Sequence, residues 1–223
     1  MVDCVAAMRC CGPRMRGRPK LISEDERRGR LIQAAEDVFL ERGFVLATMD
    51  DVSRRAGMSK KTIYQLFSTK QALFAALIAQ YTEHLMMPIK TDDGTRGPRA
   101  VLEDFLRALA RFVLSPRQVA MHRLVISEAM RTPELAQAFL REAMDSGKCS
   151  LVAWFERQHE RGALSIEDAE EAASILCGFV ISEPQMRLLY GQDDPPTWAM
   201  IDRRVDRGLD IFFKGTGALL GLA

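Results

Sequence analysis

The chain has 223 residues, 48% hydrophobic and 27% charged, with 31 Lys/Arg against 30 Asp/Glu. This profile excludes a largely disordered chain, and the longest uncharged apolar run, AASILCGFVIS at 172–182, is too short to span a bilayer. Charge is unevenly placed: residues 1–70 carry 14 Lys/Arg against 9 Asp/Glu, and residues 71–223 carry 17 against 21, as expected of a chain whose front meets an anion.

Residues 1–22 read as a basic flexible arm without the continuous apolar segment of a secretory signal, and Met8 and Met15 offer alternative starts. Its RGRPK run (16–20) places Arg16 and Arg18 where they can enter a narrow minor groove; a solvated tail is the other reading. The five cysteines, Cys4, Cys10, Cys11, Cys149 and Cys177, are odd in number and lack CxxC spacing. They predict reduced thiols in a cytoplasmic protein rather than a disulfide framework or a zinc site.

Helix signals then follow one another. Ser23 with Glu26 predicts a capping box before a stripe at Leu31, Ala35, Val38 and Phe39, closed by Gly43. Thr48 with Asp51 opens a second helix, with Met49, Val52 and Ala56 inward. Gly57 supplies a tight turn, and Ser59 opens a third helix with Ile63, Leu66 and Phe67 inward. Ser68 with Gln71 opens a fourth, carrying Leu73, Phe74, Leu77, Ile78 and Tyr81. Pro88 and TDDGTRGP (91–98) break the pattern; longer stretches follow at about 99–114, 116–131, 133–161, 166–190 and 196–214. An interruption is expected near Ser146-Gly147, and a kink at Pro184. No strand pattern occurs. The prediction is an all-α fold of about nine helices: the arm at 1–22, a three-helix helix-turn-helix head at 23–68, and a ligand-binding and dimerisation body at 69–223 whose first helix, 69–87, connects the two.

Helices of two turns are marginal alone, which raises the question of what use beyond packing the third serves. With Ile63 inward, Lys61 and Gln65 lie opposite, flanked by Thr62, Tyr64 and Ser68. That acid-free face suits phosphates and base edges, since lysine can donate to guanine and glutamine can pair with adenine. Ser59 and Lys60 stand at the helix N-terminus, where free N–H groups favour a phosphate. A solvated helical hairpin is the alternative from spacing alone.

The run TMDDVSRRAGMSKKTIYQLFSTKQALF (48–74) resembles the helix-turn-helix of the TetR (tetracycline-repressor-like) family of transcriptional regulators. The resemblance is carried by Thr48, Val52, Ala56, Gly57, Ser59, Ile63, Tyr64, Phe67, Lys70 and Leu73, preceded by LIQAAEDVFLERGF (31–44). It implies phosphate contacts for Tyr64 and Lys70, and a capping and backbone-touching role for Thr48. Lys61 departs from the family's usual glycine, adding a charge within reach of the groove. The run RLVISEAMRTPELAQAF (123–139) is similar to one subgroup's ligand domain.

For the body the resemblance implies a small-molecule cavity, with His122, Glu128, Trp154 and Glu183 as candidate polar contacts and methionines Met121, Met130, Met144 and Met186 as adaptable lining. It also implies a two-fold four-helix bundle formed by 166–190 and 196–214 of each subunit, through Phe179, Trp198, Ile201, Val205, Leu209 and Phe212; ordinary core packing is the alternative. The three histidines fall on separate stretches, and no GxSxG, HExxH, P-loop or GxGxxG occurs. The expected partners are therefore a palindromic double-stranded operator, a second copy of the chain and a small-molecule effector, with no membrane, cofactor or metal. A nucleoid-type or adaptor DNA-binding protein, or less favourably an all-α enzyme, remains open.

Overall fold

The computed structural model describes residues 23–192 and 194–219, with side chains through 214. All regular structure among the described residues is helical: α1 (Glu24–Arg42), α2 (Met49–Arg55), α3 (Lys60–Leu66), α4 (Lys70–Leu85), α5 (Met87–Lys90), α6 (Pro98–Val113), α7 (Pro116–Glu128), α8 (Pro133–Phe139), α9 (Ser146–Glu160), α10 (Ala169–Leu189) and α11 (Trp198–Leu219). The expected all-α architecture, a helix-turn-helix head ahead of a larger helical body, is therefore present.

Local chemistry explains most boundaries. Ser23 Oγ accepts from Glu26 N, and Gly43, at φ 77°, closes α1 while its N–H donates to Phe39. Thr48 and Asp51 cap α2 reciprocally. One predicted cap moves. Thr69, not Ser68, caps α4, because Thr69 takes the extended conformation that brings its hydroxyl to Ala72 N at 3.0 Å. The 166–190 stretch becomes helical only at Ala169, where Asp168 caps α10 by accepting from Glu171 N at 2.9 Å, leaving Ile166 free to pack into the core. The 133–161 stretch is helical but not uniformly α: a π-helical segment, Leu140–Asp145, joins α8 to α9 just before the expected break. Pro88 is absorbed into the four-residue α5.

Two cores organise the packing. A front core joins α1–α4 with Met121 and Val125 of α7 and Leu135, Ala138 and Phe139 of α8. A rear core joins α5, α6, α9, α10 and α11 around Trp154 and Phe155. The sequence stripe of α4 thus belongs to the head, and α7 and α8 complete that core. Along the back, Arg99, Arg107 and Arg111 of α6 pair with Asp210, Asp206 and Asp202 of the antiparallel α11.

Pro184 sits inside α10 without ending it. Lacking an N–H, it cannot serve the carbonyl of Val180 four residues back. Arg204 of α11 does so instead, with Nε donating to that carbonyl at 2.8 Å and Nη2 to Phe179 O at 3.2 Å. Arg204→Met is therefore expected to cost about 1–3 kcal/mol, and clearly less in a Pro184→Ala background, where residue 184 can donate again. Denaturant melts of the four proteins measure this; equal costs in both backgrounds would show that the guanidinium does not answer the proline.

Candidate nucleic-acid interface

The head displays α3 as its outward element. Gly57 turns α2 into α3 at φ 65°, a conformation costly for any residue with a Cβ. Ser59 then caps α3, its hydroxyl accepting from Thr62 N at 3.1 Å and lying 2.9 Å from Thr62 Oγ1. Ile63 is fully buried and fixes the rotation of the helix, so Lys61 and Gln65 face outward and Tyr64 is 54% exposed. These three side chains, with half-buried Thr62 beside them, form the surface that the spacing predicts.

Other candidates have partners within the head. The Lys60 ammonium pairs with Asp50 of α2, an acid the α3 face by itself does not reveal. Thr48 Oγ1 accepts from Asp51 N at 3.1 Å and donates to the Asp51 carboxylate at 2.7 Å. The Thr48 hydroxyl bond is the main reason Asp51 is held below the usual carboxylate range; partial burial opposes it, while Arg42 and Arg54 assist. Thr48 is itself exposed at the start of α2.

Lys70 faces the backbone of the head. Its ammonium turns inward and donates to three carbonyls of the α1–α2 connection, Phe44 at 2.5 Å, Val45 at 3.1 Å and Ala47 at 2.8 Å, above the Phe44 ring. An ammonium has three protons and all three are engaged here, so Lys70 holds the turn before α2. Burial lowers its pKa, partly offset by the charge of Glu128.

The structure adds a group the sequence reading passed over. Arg27 and Arg28 are exposed on the first turns of α1, and the Arg28 guanidinium lies 4.6 Å from the centroid of the Phe67 ring at the end of α3. Their pairing was visible in the sequence but masked by the adjacent acids Glu24, Asp25 and Glu26. Arg16 and Arg18 lie outside the described residues.

The four ligand candidates do not converge. Trp154 is fully buried in the rear core and donates its indole N–H to Asp92 at 2.7 Å. His122 is half-buried; Nδ1–H donates to Gln118 O at 2.8 Å, its ring packs edge-on against Phe139, and burial lowers its pKa. Glu128 lies on the head side of α7. Glu183 alone borders a cleft of about 600 Å³ between α6, α10 and α11, walled by Val180, Pro184, Leu188, Pro195 and Ile201, and there it pairs with Arg204. The methionines are scattered too, from fully buried Met121 to Met130 at 93% exposed.

The dimer candidates also divide. Ile201, Val205 and Leu209 are buried in the rear core with residues of α6 and α10, and half-buried Phe212 packs on Phe155. Helical period marks an apolar face but not the surface that meets it. Phe179 and Trp198 are 45% and 61% exposed, and Ile175 and Met186 join them as exposed apolar residues of α10.

No described helix is long and apolar enough to cross a membrane, and no cluster of three His, Cys, Asp or Glu suited to a metal occurs among the described residues. Residues 31–77 match the family described as bacterial regulatory proteins, tetR family, and residues 100–215 match the AefR-like transcriptional repressor, C-terminal domain. The HTH-type transcriptional activator FasR of Mycolicibacterium smegmatis is 38% identical over 89 residues, covering 38% of this chain and 41% of that protein. The HTH-type transcriptional regulator TtgR of Pseudomonas putida is 27% identical over 195 residues, covering 83% of this chain and 91% of that protein. The solved structure of the flavonoid-responsive regulator FrrA is 30% identical, with a TM-score of 0.67 over 86% of this chain and 97% of that one. With a helix-turn-helix head and a helical body each matched, this chain belongs to the TetR family of DNA-binding transcriptional regulators and is not an enzyme.

Proposed function

We propose that the protein is a cytoplasmic repressor that binds a palindromic operator as a homodimer and leaves it when a small molecule binds the body. The observation that carries the reading is the α3 surface, where Lys61, Tyr64 and Gln65 stand outward around a fully buried Ile63. One two-turn helix spans few base pairs, whereas two helices related by a two-fold read an inverted repeat. The exposed residues Ile175, Phe179, Met186 and Trp198 on α10 and α11 support pairing through that face. Repression is supported by the description of the C-terminal match, although FasR is named an activator. Ligand response is supported by FrrA, named for its flavonoid response, and by the cleft beside Pro184, whose size and apolar walls suit a small, mostly apolar effector. Only an effector that prefers one head spacing over another can release DNA.

Selection of bound fragments from a genomic library at near-physiological salt tests the reading. A short inverted repeat is expected; enrichment without a common motif, or no retention, overturns it. Gln65→Ala is expected to relax discrimination at one position per half-site by about 1–3 kcal/mol. An unchanged base preference would place the reading face elsewhere on α3.

A further inference from the structure

The cleft of about 600 Å³ beside Pro184 has room for a small molecule but lacks one wall. Its floor is closed: Leu114 at the end of α6, Val180 of α10 and Ile201 of α11 are buried in the rear core. Its rim is open. Glu183, Thr197 and Met200 border the cleft and are exposed. A small-molecule site normally buries about 70–90% of its occupant, and a cleft with an exposed rim does not reach that by itself.

The open side adjoins the apolar face of α10 and α11. On α10, exposed Phe179 and Met186 lie within about 60° of Glu183 at 100° per residue. On α11, Met200 at the rim and Ile211, three turns on, lie about 20° apart, and both are more than half exposed. The two helices close up at Gly208, where a Cβ would meet the Phe179 ring at 3.2 Å. Both stripes therefore form one surface that ends at the cleft. Within the cleft the polar anchor is Arg204. It donates to Val180 O at 2.8 Å, to Phe179 O at 3.2 Å and to the Glu183 carboxylate at 3.3 Å. A guanidinium has five N–H donors, so two remain for an acceptor brought into the cleft.

We propose that this cleft is one half of a composite effector site: it takes a mostly apolar molecule carrying an acceptor oxygen, and a second copy of the chain closes it. An isologous pairing brings the same face of each protomer together, so the apolar surface beside one mouth covers the other. The apolar part of the molecule lies against Pro184 and Leu188, and its oxygen accepts from Arg204. A molecule buried only between two copies binds the dimer in preference to the monomer and so strengthens pairing by mass action. The inference rests on the reading of the cleft as the effector site and of α10 and α11 as the pairing face.

The probe is anilinonaphthalene sulfonate, an apolar ring system with acceptor oxygens whose fluorescence rises on burial. The full chain is titrated with it on both sides of the dimer transition located by sedimentation. The dimer is expected to bind the probe about tenfold more tightly than the monomer, and saturating probe should tighten the dimer, as linkage requires. Ile175→Glu, on the exposed face of α10 and two turns from Glu183, should give a monomer with the same loss. Thr197→Trp, which fills the cleft from its rim, should stay dimeric and lose the probe. Equal affinity of monomer and dimer overturns the inference and leaves the cleft as a complete site within each chain. Wild-type binding by Thr197→Trp, or no binding by wild type, removes the cleft reading as well. A chain that never pairs, or a dimer that survives Ile175→Glu, overturns the inference together with the pairing face.

Discussion

Lys70→Met is expected to lower the melting temperature by roughly 4–16 °C and to weaken operator binding, without changing how binding depends on salt. Methionine keeps the length of the stem and removes the ammonium. The carbonyls of Phe44 and Ala47, both part-buried, lose their donor, while that of Val45 is exposed and can turn to water. Two part-buried acceptors left unmatched cost about 2–4 kcal/mol, and each kcal/mol shifts the midpoint of a chain of this size by about 2–4 °C. Glu128 also loses the positive charge it faces. Affinity falls because the freed turn leads directly into Thr48 and α2. The salt slope stays at its wild-type value because no phosphate contact is lost. Lys61→Ala, which removes an outward cation, is the control and should reduce the slope by about one. Melting curves and operator titrations at several salt concentrations decide the matter. A Lys70→Met protein of unchanged stability with a reduced slope would put the ammonium on the DNA after all.

Trp154→Ala carries the second large effect. The indole is fully buried between α9 and its neighbours, edge-on to Phe155 at 5.3 Å, and its N–H satisfies Asp92 together with the Gln158 amide. Emptying the site costs about 3–5 kcal/mol, or a fall of roughly 6–20 °C in melting temperature. Trp154→Phe separates the causes, since it retains most of the apolar volume and loses only the donor, for about 1–3 kcal/mol. Operator affinity measured well below the lowered transition should stay near wild type, because the rear core is remote from α3. A Trp154→Ala protein as stable as wild type would reopen the ligand role expected of this residue from the sequence.

Both predictions concern residues whose chemistry was legible and whose destination was not. Lys70 stands at a position where the family resemblance implies a phosphate, yet its acceptors lie 23–26 residues earlier, brought close only when α1 and α4 pack together. Trp154 shows the same on a larger scale: its partner Asp92 is 62 residues away in a loop. The apolar stripe of α11 was visible at Ile201, Val205 and Leu209, and its partner proved to be α6 and α10 of the same chain. Caps slipped where two hydroxyl residues adjoin, as at Ser68 and Thr69, because the choice depends on which one takes the extended backbone.

What the sequence by itself determined was the content of short windows: an all-helical chain, the caps at Ser23, Thr48 and Ser59, the positive-φ turns at Gly43 and Gly57, and the outward placement of Lys61 and Gln65 opposite Ile63. Those features arise from bonds and periods spanning three or four residues, so the letters nearby carry them. The tertiary structure alone decided that α7 and α8 finish the core of the head, that Arg204 serves the carbonyl Pro184 leaves open, and that Arg117 reaches the buried carboxylate of Glu36. Each joins residues at least 20 positions apart, and a charged or apolar side chain fits many such partners until packing selects one.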